Sequence, residues 1–133
     1  MEGTVHAIAS EPPFDVVVST LVLHFIPKDA RVDWLRAVRA LVRPGGALVL
    51  TAITDSEAPG VTPHWASLRK DYAMRHGMSP EALARRKAPT ASQVEEVRED
   101  ELGAQLAEAG FAPAIPLYQL LGVRSWRVTA PCA

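Results

Sequence analysis

The feature that most constrains the fold is a strand–helix–strand pattern in the first half of the chain. Residues Val16–Ser19, within PFDVVVSTLVLHFIP, are mostly β-branched and carry no charge, which is typical of a strand buried on both faces. The segment KDARVDWLRAVRALVRPGG predicts an amphipathic helix, and ALVLTAI, residues Ala47–Ile53, predicts a second apolar strand. Two such strands joined through a helix indicate parallel pairing with a right-handed crossover.

The predicted helix carries a single apolar stripe. Its members, at i, i+1, i+4, i+7 and i+8, are Trp34, Leu35, Val38, Leu41 and Val42. Asp29 is the predicted N-cap, because its short side chain can accept a hydrogen bond from the first turn. Pro44 predicts the end of the helix, and Gly45 and Gly46 predict a tight turn into the second strand.

The middle of the chain predicts two short helices. Thr62–Pro63 and Ser79–Pro80 are both typical helix starts, since the hydroxyl can cap the helix and proline suits its first position. Trp65, Leu68 and Tyr72 share one face of the first helix, and we expect that face to be buried.

The last third of the chain predicts a helix and a β-hairpin. The helix runs from about Arg98 to Ala109 and ends at Gly110. Two strands with a tight turn near Gly122 follow, and the first contains Pro116. Because proline cannot donate a hydrogen bond to a neighbouring strand, we expect this strand at a sheet edge.

Composition indicates one soluble globular domain in a reducing compartment. The chain has 133 residues, of which 48% are hydrophobic and 22% charged, and a net charge of -1. That balance argues against a protein built mainly for nucleic-acid or membrane binding. Cys132 is the single cysteine, so no internal disulfide can form and a cytoplasmic location is expected. The first residues show no signal-peptide pattern, and no apolar run is long enough to cross a membrane.

Three segments, in this order, resemble the second half of the class I S-adenosylmethionine (SAM)-dependent methyltransferases. FDVVVSTLVLHFIP is similar to the family's fourth strand and the loop after it. LRAVRALVRPGGALVL is similar to the next helix, the Pro-Gly-Gly turn and the fifth strand. LGAQLAEAGFAPA and the hairpin after it resemble the last helix and strands six and seven. The middle segment, WASLRKDYAMRHGMSPEALARR, resembles the lid helices of type-12 methyltransferases and carboxy-SAM synthases.

The resemblance implies an α/β fold, a partial Rossmann-like methyltransferase sheet with family strands in the order 4-5-7-6 and a terminal antiparallel hairpin, flanked by helices. Within a single domain, residues 1–61 would form the strand–helix–strand core, 62–90 the lid-like helices, and 91–133 a helix and the hairpin. The chain has no counterpart of the family's first three strands or of its acidic ribose-binding residue. It also contains no G-x-G-x-G motif, so the family's glycine-rich cofactor loop has no counterpart either. We therefore expect weak or absent binding of SAM by this chain alone, with a dissociation constant above about 1 mM.

The resemblance also implies a cofactor site at the carboxyl end of the first strand. EGTVHAI resembles the family's adenine-lining segment, with Gly3 and Ile8 at matching positions and Thr4 replacing the usual aspartate. The predicted cofactor contacts are Thr4, Val5, Ser19, Thr20, Leu21 and Phe25. The hydroxyls of Ser19 and Thr20 have an alternative role, because strand-end hydroxyls often bond to the local backbone.

His24 is the candidate catalytic residue, since an imidazole can orient an acceptor or take a proton near neutral pH. The alternative is that it packs beside Phe25 and makes one hydrogen bond. The candidate substrate-binding residues are Trp65, Tyr72 and Tyr118, with core packing as the alternative. The basic stretch Arg69–Lys87 suits either an anionic substrate or a solvated helix face. The histidines show no spacing of metal ligands, so no metal is expected.

Three functions stay open at this point. The first is part of a SAM-dependent methyltransferase acting on a small molecule or a tRNA-related acceptor, incomplete without an N-terminal half. The second is a non-catalytic remnant that self-associates as an interaction module, and the third is a half-site for another ligand. In each case Val16–Ser19 forms an apolar edge without proline or charge, so we expect it to pair with a second copy or with a separate N-terminal half. Membrane and nucleic-acid partners are not expected.

Overall fold

A computed structural model of the chain describes residues 4–5, 13–56, 58–87 and 94–132. Four strands and four α-helices are named here in chain order: β1 Phe14–Thr20, α1 Arg31–Leu41, β2 Val42–Ile53, α2 Val61–Arg75, α3 Pro80–Lys87, α4 Glu99–Glu108, β3 Ile115–Leu120 and β4 Val123–Thr129. Two short 3-10 turns, Leu23–Phe25 and Lys28–Ala30, connect β1 to α1.

The sheet has the predicted topology. Its strand order is β1-β2-β4-β3, with β1 parallel to β2 and the other pairs antiparallel. The strand that contains Pro116 lies at the outer edge, as predicted, and a register shift next to that proline interrupts its pairing with β4. This order matches the family strands 4-5-7-6, so the partial Rossmann-like α/β fold is confirmed.

The core lies on one face of the sheet, beneath α1 and α4. Leu50 pairs in register with Trp126, and Leu48 pairs with Val128. All four side chains are buried and belong to one apolar cluster with the inner faces of the two helices. From α1 the cluster receives Leu35 and Val38, and from α4 it receives Leu102 and Leu106.

The ends of α1 follow the predicted turn but not the predicted cap. The helix ends at Leu41, and Gly45 adopts a left-handed φ of 78° inside β2, at the register shift between the pair Phe14–Val42 and the continuous pairing that starts at Ala47. Gly46 has no room for a side chain, because a Cβ atom there would meet the carbonyl oxygen of Asp15 at 2.8 Å. The Asp29 cap is wrong: Ala30 precedes the helix, and Asp29 lies in the 3-10 turn before it.

Burial of β1 on both faces is wrong. Val17 packs against the core, and Ser19 is buried. Val16 and Val18 point to the other face, where Val18 is 65% exposed. Because β1 is an edge strand and both packed helices lie on its Val17 side, half of this apolar strand stays open in the part of the chain that the structure describes.

The helices α2 and α3 extend away from the core. Trp65 is half-buried, but Leu68 and Tyr72 are exposed, so the predicted burial of this face is wrong. No residue of α2 is buried, because no second apolar layer lies opposite the helix among the described residues. The start at Ser79–Pro80 is confirmed, since the Ser79 hydroxyl accepts a hydrogen bond from the Ala82 N–H.

The start of α2 differs from the prediction. The helix begins at Val61, after Gly60 in a left-handed conformation. The Thr62 hydroxyl donates to Asp55 Oδ1 at 2.5 Å and accepts from the Ser56 N–H, so it ties α2 to the end of β2 instead of capping the helix. None of the helices in the described ranges combines the length and the apolar character that crossing a membrane requires.

Candidate functional site

The parallel strands β1 and β2 end side by side, at the edge where ligands bind in open α/β sheets. The Leu21 N–H donates to the Thr51 carbonyl at 2.8 Å, and this bond is the last between the two strands. Residues 94–97 cross the same edge: Val97 forms a parallel bridge with Thr54, and the Glu95 N–H donates to the His24 carbonyl. This edge therefore brings together three separate parts of the chain.

A groove of about 930 Å³ runs along the free edge of β1 and the adjacent side of α1. Four of the predicted cofactor contacts line it, namely Thr4, Val5, Ser19 and Thr20. Val5 also packs against the core cluster, whereas Thr4 is exposed. Leu21 and Phe25 are exposed beside this groove and do not line it, and Gly3 and Ile8 fall outside the described residues.

Ser19 is the most constrained of these residues. It is 7% exposed, and its Oγ has no hydrogen-bond partner among the described residues. A buried hydroxyl without a partner is costly, so such a group indicates a contact that another molecule or segment can supply. The alternative role for Ser19, a bond to the local backbone, has no support in the described structure.

His24 is buried, with 1% of its surface exposed, and its ring holds two segments together. The Ile53 N–H donates to His24 Nδ1 at 3.2 Å, which places the ring proton on Nε2. The ring also lies 4.5 Å from that of Phe25, as the packing alternative predicts. Burial, and secondly the charge of Arg31, lower the pKa of His24, so the imidazole is neutral at neutral pH. Its catalytic role stays a prediction.

Arg31 is a buried charge beneath the site that sequence reasoning missed. It is 1% exposed, its Nε donates to the Ile26 carbonyl at 3.1 Å, and its Nη2 donates to the Glu95 carbonyl at 2.5 Å. Burial lowers the pKa of Arg31, and the carboxylates of Glu95 and Glu101 act in the opposite direction. Arg31 therefore joins the loop after β1 to residues 94–97. An arginine in the first turn of an amphipathic helix gives no sequence signal for such burial.

The three predicted substrate-binding aromatics do not line a common pocket. Trp65 borders a cavity of about 300 Å³ with Asp55, Glu99 and Arg124. Tyr72 is 65% exposed and stacks on His76 farther along α2, with 4.0 Å between the ring centroids. Tyr118 is exposed on the outer strand β3. Their role in binding a substrate stays a prediction.

Glu96, in the segment that crosses the carboxyl ends of the strands, is a second residue near the site that sequence reasoning missed. Partial burial and secondly the charge of Asp55 raise its pKa, while Arg69 of α2 opposes the shift. Glu96 is exposed, and its neighbour Val97 bridges Thr54 just after β2. The sequence offers only the VEEV pattern of residues 94–97, in which Val97 is buried and Glu96 is exposed. Among the described residues, no cluster of three histidine, cysteine or acidic side chains suits a metal ion.

Comparison with curated proteins finds relatives of one kind. The chain is 30% identical over 132 residues to carboxy-SAM synthase from Pseudomonas putida strain GB-1, and 27% identical over 128 residues to the synthase from P. putida strain F1. Each match covers 94% of this chain and 50% of the relative. The chain thus spans about half the length of the curated relatives it matches. No model of a known protein family matches it.

Comparison with solved structures gives the fold. Mitomycin 7-O-methyltransferase has a TM-score of 0.65 at 19% identity, over 98% of this chain and 33% of that one. An O-methyltransferase family protein from Burkholderia thailandensis has a TM-score of 0.65 at 14% identity, over 100% and 35%. PigF, solved with S-adenosylhomocysteine (SAH), has a TM-score of 0.62 at 14% identity, over 96% and 34%. At such identities the likeness concerns the fold.

The strand order, the helix layer and the matched segments agree with one another. The sequence matches and the structural matches both cover nearly the whole chain and half or less of the related protein. The chain therefore corresponds to the C-terminal half of a class I SAM-dependent methyltransferase fold and is related in sequence to carboxy-SAM synthases.

Proposed function

We propose that the chain is one half of a SAM-dependent group-transfer enzyme and that the carboxyl end of β1 is one wall of its cofactor site. The observation that supports this most is Ser19, a buried hydroxyl without a partner in the described residues, at the edge where open α/β sheets bind ligands. The relatives, which are named as synthases of a SAM derivative, support the same assignment.

The residues at this edge suit part of such a cofactor. The Ser19 hydroxyl can bond to a polar group, and the half-buried Val5 offers apolar surface to an adenine ring. The strand-end backbone at Thr20 and Leu21 supplies carbonyl acceptors for an ammonium group. SAM, when bound, would supply a methyl group on a positively charged sulfur. The work of this half is then to hold that group in line with an acceptor.

His24 has a supporting role in this proposal. Its Nδ1 is occupied by the Ile53 N–H, and its ring is buried against the rest of the loop. An imidazole held in this way fixes the course of Thr20–Phe25 rather than transferring a proton. Replacement of His24 by Asn, whose Oδ1 can accept the same N–H, should therefore preserve turnover in the completed enzyme. A loss of turnover with an unchanged fold would support the catalytic assignment instead.

A completing half would bind along β1. The edge from Val16 to Ser19 carries no proline or charge, and the groove beside it is lined mainly by apolar side chains such as Trp34 and Val38. The relatives are about twice as long as the segment they share with this chain. We infer that the natural occupant is the other half of the same fold, and that a second copy can occupy the edge when that half is absent.

The chemical identity of the reaction product shows which group the enzyme transfers. The relatives' name favours formation of carboxy-SAM, whereas the O-methyltransferase neighbours favour methyl transfer to a small-molecule acceptor. Methyl transfer to an acceptor leaves SAH, whereas carboxylation of SAM, which needs a separate carboxyl donor and releases a proton, leaves a SAM derivative that has gained a carboxyl group. Mass spectrometry of the nucleoside products of the completed protein distinguishes the two. If the acceptor is a tRNA, enzymatic digestion of that tRNA after the reaction would release a methylated nucleoside.

A non-catalytic self-associating module is the second candidate. It is favoured by the apolar surface left open on the sheet, which includes Val16 and Val18 on β1 and Leu117 and Leu120 on β3. This candidate predicts association without affinity for SAM or SAH.

Calorimetric titration with SAH tests the proposal. The chain is titrated alone and after mixing with the first half of the synthase from P. putida strain GB-1. This synthase is chosen because the segment it shares with our chain is 30% identical. We expect a dissociation constant above about 1 mM for the chain alone and at least a tenfold gain on mixing. Val18→Lys should abolish the gain, and Leu117→Lys, on the exposed outer strand, should not. Tight binding by the chain alone, or no gain on mixing, contradicts the proposal.

A further inference from the structure

The face of the sheet opposite the buried core carries a row of side chains that crosses all four strands. In register from β1 to β3, the row consists of Val18, Val49, Arg127 and Ile115. The adjacent residues Leu48 and Trp126 belong to the core, so the row lies on the opposite face of the sheet. Val18 and Ile115, at the two ends of the row, are exposed, so no described element covers them.

Arg127 is the only charged residue in this row and in the rows on either side of it. Those rows are Val16, Ala47 and Thr129 on one side, and Thr20, Thr51, Ser125 and Tyr118 on the other. Arg127 is exposed, and its guanidinium has no hydrogen bond or ion pair within the part of the chain that the structure describes. The Thr51 and Ser125 hydroxyls bond to each other at 2.9 Å, so they need no further partner. The face therefore presents apolar surface with one unpaired cation inside it.

The chemistry of this face restricts what can cover it. Parallel strands are usually covered by helices on both faces of their sheet. A covering helix that is apolar throughout would bury the charge of Arg127 without a partner, which is costly. A second copy that docks about a two-fold axis through the row would bring two Arg127 side chains together, and like charges repel. The segment that fits is an amphipathic helix with one carboxylate in its apolar stripe.

We propose that this face is a second contact surface for the completing half, and that Arg127 selects a half whose covering helix carries an aspartate or glutamate opposite it. This inference rests on the proposed function, because that function supplies the partner. It differs from pairing along the edge of β1 in what it recognises. Backbone hydrogen bonds to an edge strand do not depend on side-chain identity, whereas a buried arginine–carboxylate pair discriminates between partners.

The first test measures the affinity of the chain for the first half of the P. putida GB-1 synthase by calorimetry. Arg127→Met keeps the apolar part of the side chain and removes the charge. It should raise the dissociation constant of the complex at least about tenfold, because the partner's carboxylate is left buried and unpaired. Arg127→Glu should weaken the complex further, since it places two carboxylates together. Arg75→Glu, the same change at the exposed end of α2, is the matched control and should stay within about threefold of the wild type.

The second test identifies the partner's carboxylate by carbodiimide coupling. In the complex of Arg127→Lys, the introduced amine should form an amide with an aspartate or glutamate of the first half, detected by mass spectrometry of the digest. Arg75→Lys should give no such adduct. Because Arg127 is exposed in the free chain, its variants should keep the midpoint of thermal unfolding of the wild type.

The outcomes separate this inference from the proposed function. If the complex forms and Arg127→Met binds as tightly as the wild type or more tightly, or if the Arg127→Lys complex gives no adduct, the inference is wrong and the proposed function stands. If the wild type forms no complex with the first half, the proposed function itself is overturned, and the inference with it.

Discussion

His24 makes the stability of this fold depend on pH. Its ring is almost fully buried, accepts the Ile53 N–H at Nδ1, and lies near the buried Arg31. Burial first, and the positive charge of Arg31 second, lower its pKa. In the unfolded chain the imidazole titrates near its ordinary pKa of about 6.5. The folded state therefore binds this proton less readily than the unfolded state does.

The sign and size of the effect follow from proton linkage. With a lowered pKa in the folded state, the contribution of His24 to stability is fully present above about pH 6.5 and is lost as the pH falls toward the folded pKa. Within that window, the free energy of unfolding should decrease by up to about 1.4 kcal/mol for each pH unit.

Urea unfolding followed by circular dichroism, at several pH values between about 5.5 and 8, measures this slope. His24→Asn is the informative variant, because its Oδ1 can accept the Ile53 N–H but does not titrate. We expect the variant to be less stable than the wild type at neutral pH, through lost packing, and to lack the histidine part of the slope. His64→Asn, at an exposed position of α2, is the control and should keep the wild-type slope. Equal slopes for the wild type and His24→Asn would refute the reasoning.

Two further predictions concern stability, both read from urea unfolding. Arg31→Met should lower the free energy of unfolding by about 3 kcal/mol, because the Ile26 and Glu95 carbonyls lose their buried donor. The control, Arg36→Met, removes only exposed ion pairs and should lower it by less than about 1 kcal/mol. Similar losses for the two variants would contradict the role of Arg31. Gly46→Ala should lower the free energy of unfolding by about 2 kcal/mol or more, since the added Cβ would meet backbone oxygens within 3 Å. The control, Gly103→Ala, lies in open space on α4 and should raise the free energy of unfolding by up to about 1 kcal/mol. An unchanged stability of Gly46→Ala would show that the backbone here can shift.

Much of the sheet could be predicted because local patterns decide it. The apolar segments around Val16 and Leu48, and the Gly45–Gly46 pair a few residues after the helix, predict a parallel pair from the local sequence alone. Pro116 specifies an edge, since it lacks an N–H donor. Burial was harder to predict. Leu68 and Tyr72 have the spacing of a core-facing helix, but spacing cannot show whether a second layer lies opposite them.

The candidate site was predicted in outline only. The end of β1 follows from the position of the strand, so Ser19 and Thr20 were within reach of sequence reasoning. Arg31 and Glu96 were not, because their environment depends on residues 94–97, which return to the sheet at the bridge between Thr54 and Val97.

The central claim is that the free edge of β1 is completed by another segment. Size-exclusion chromatography with light scattering, on the chain alone and after mixing with the first half of the P. putida GB-1 synthase, tests it most directly. We predict a mass above the 14.4 kDa of one chain in the first sample and a one-to-one complex in the second. Val18→Lys should reduce both kinds of association. A clean monomer in both samples would contradict the account.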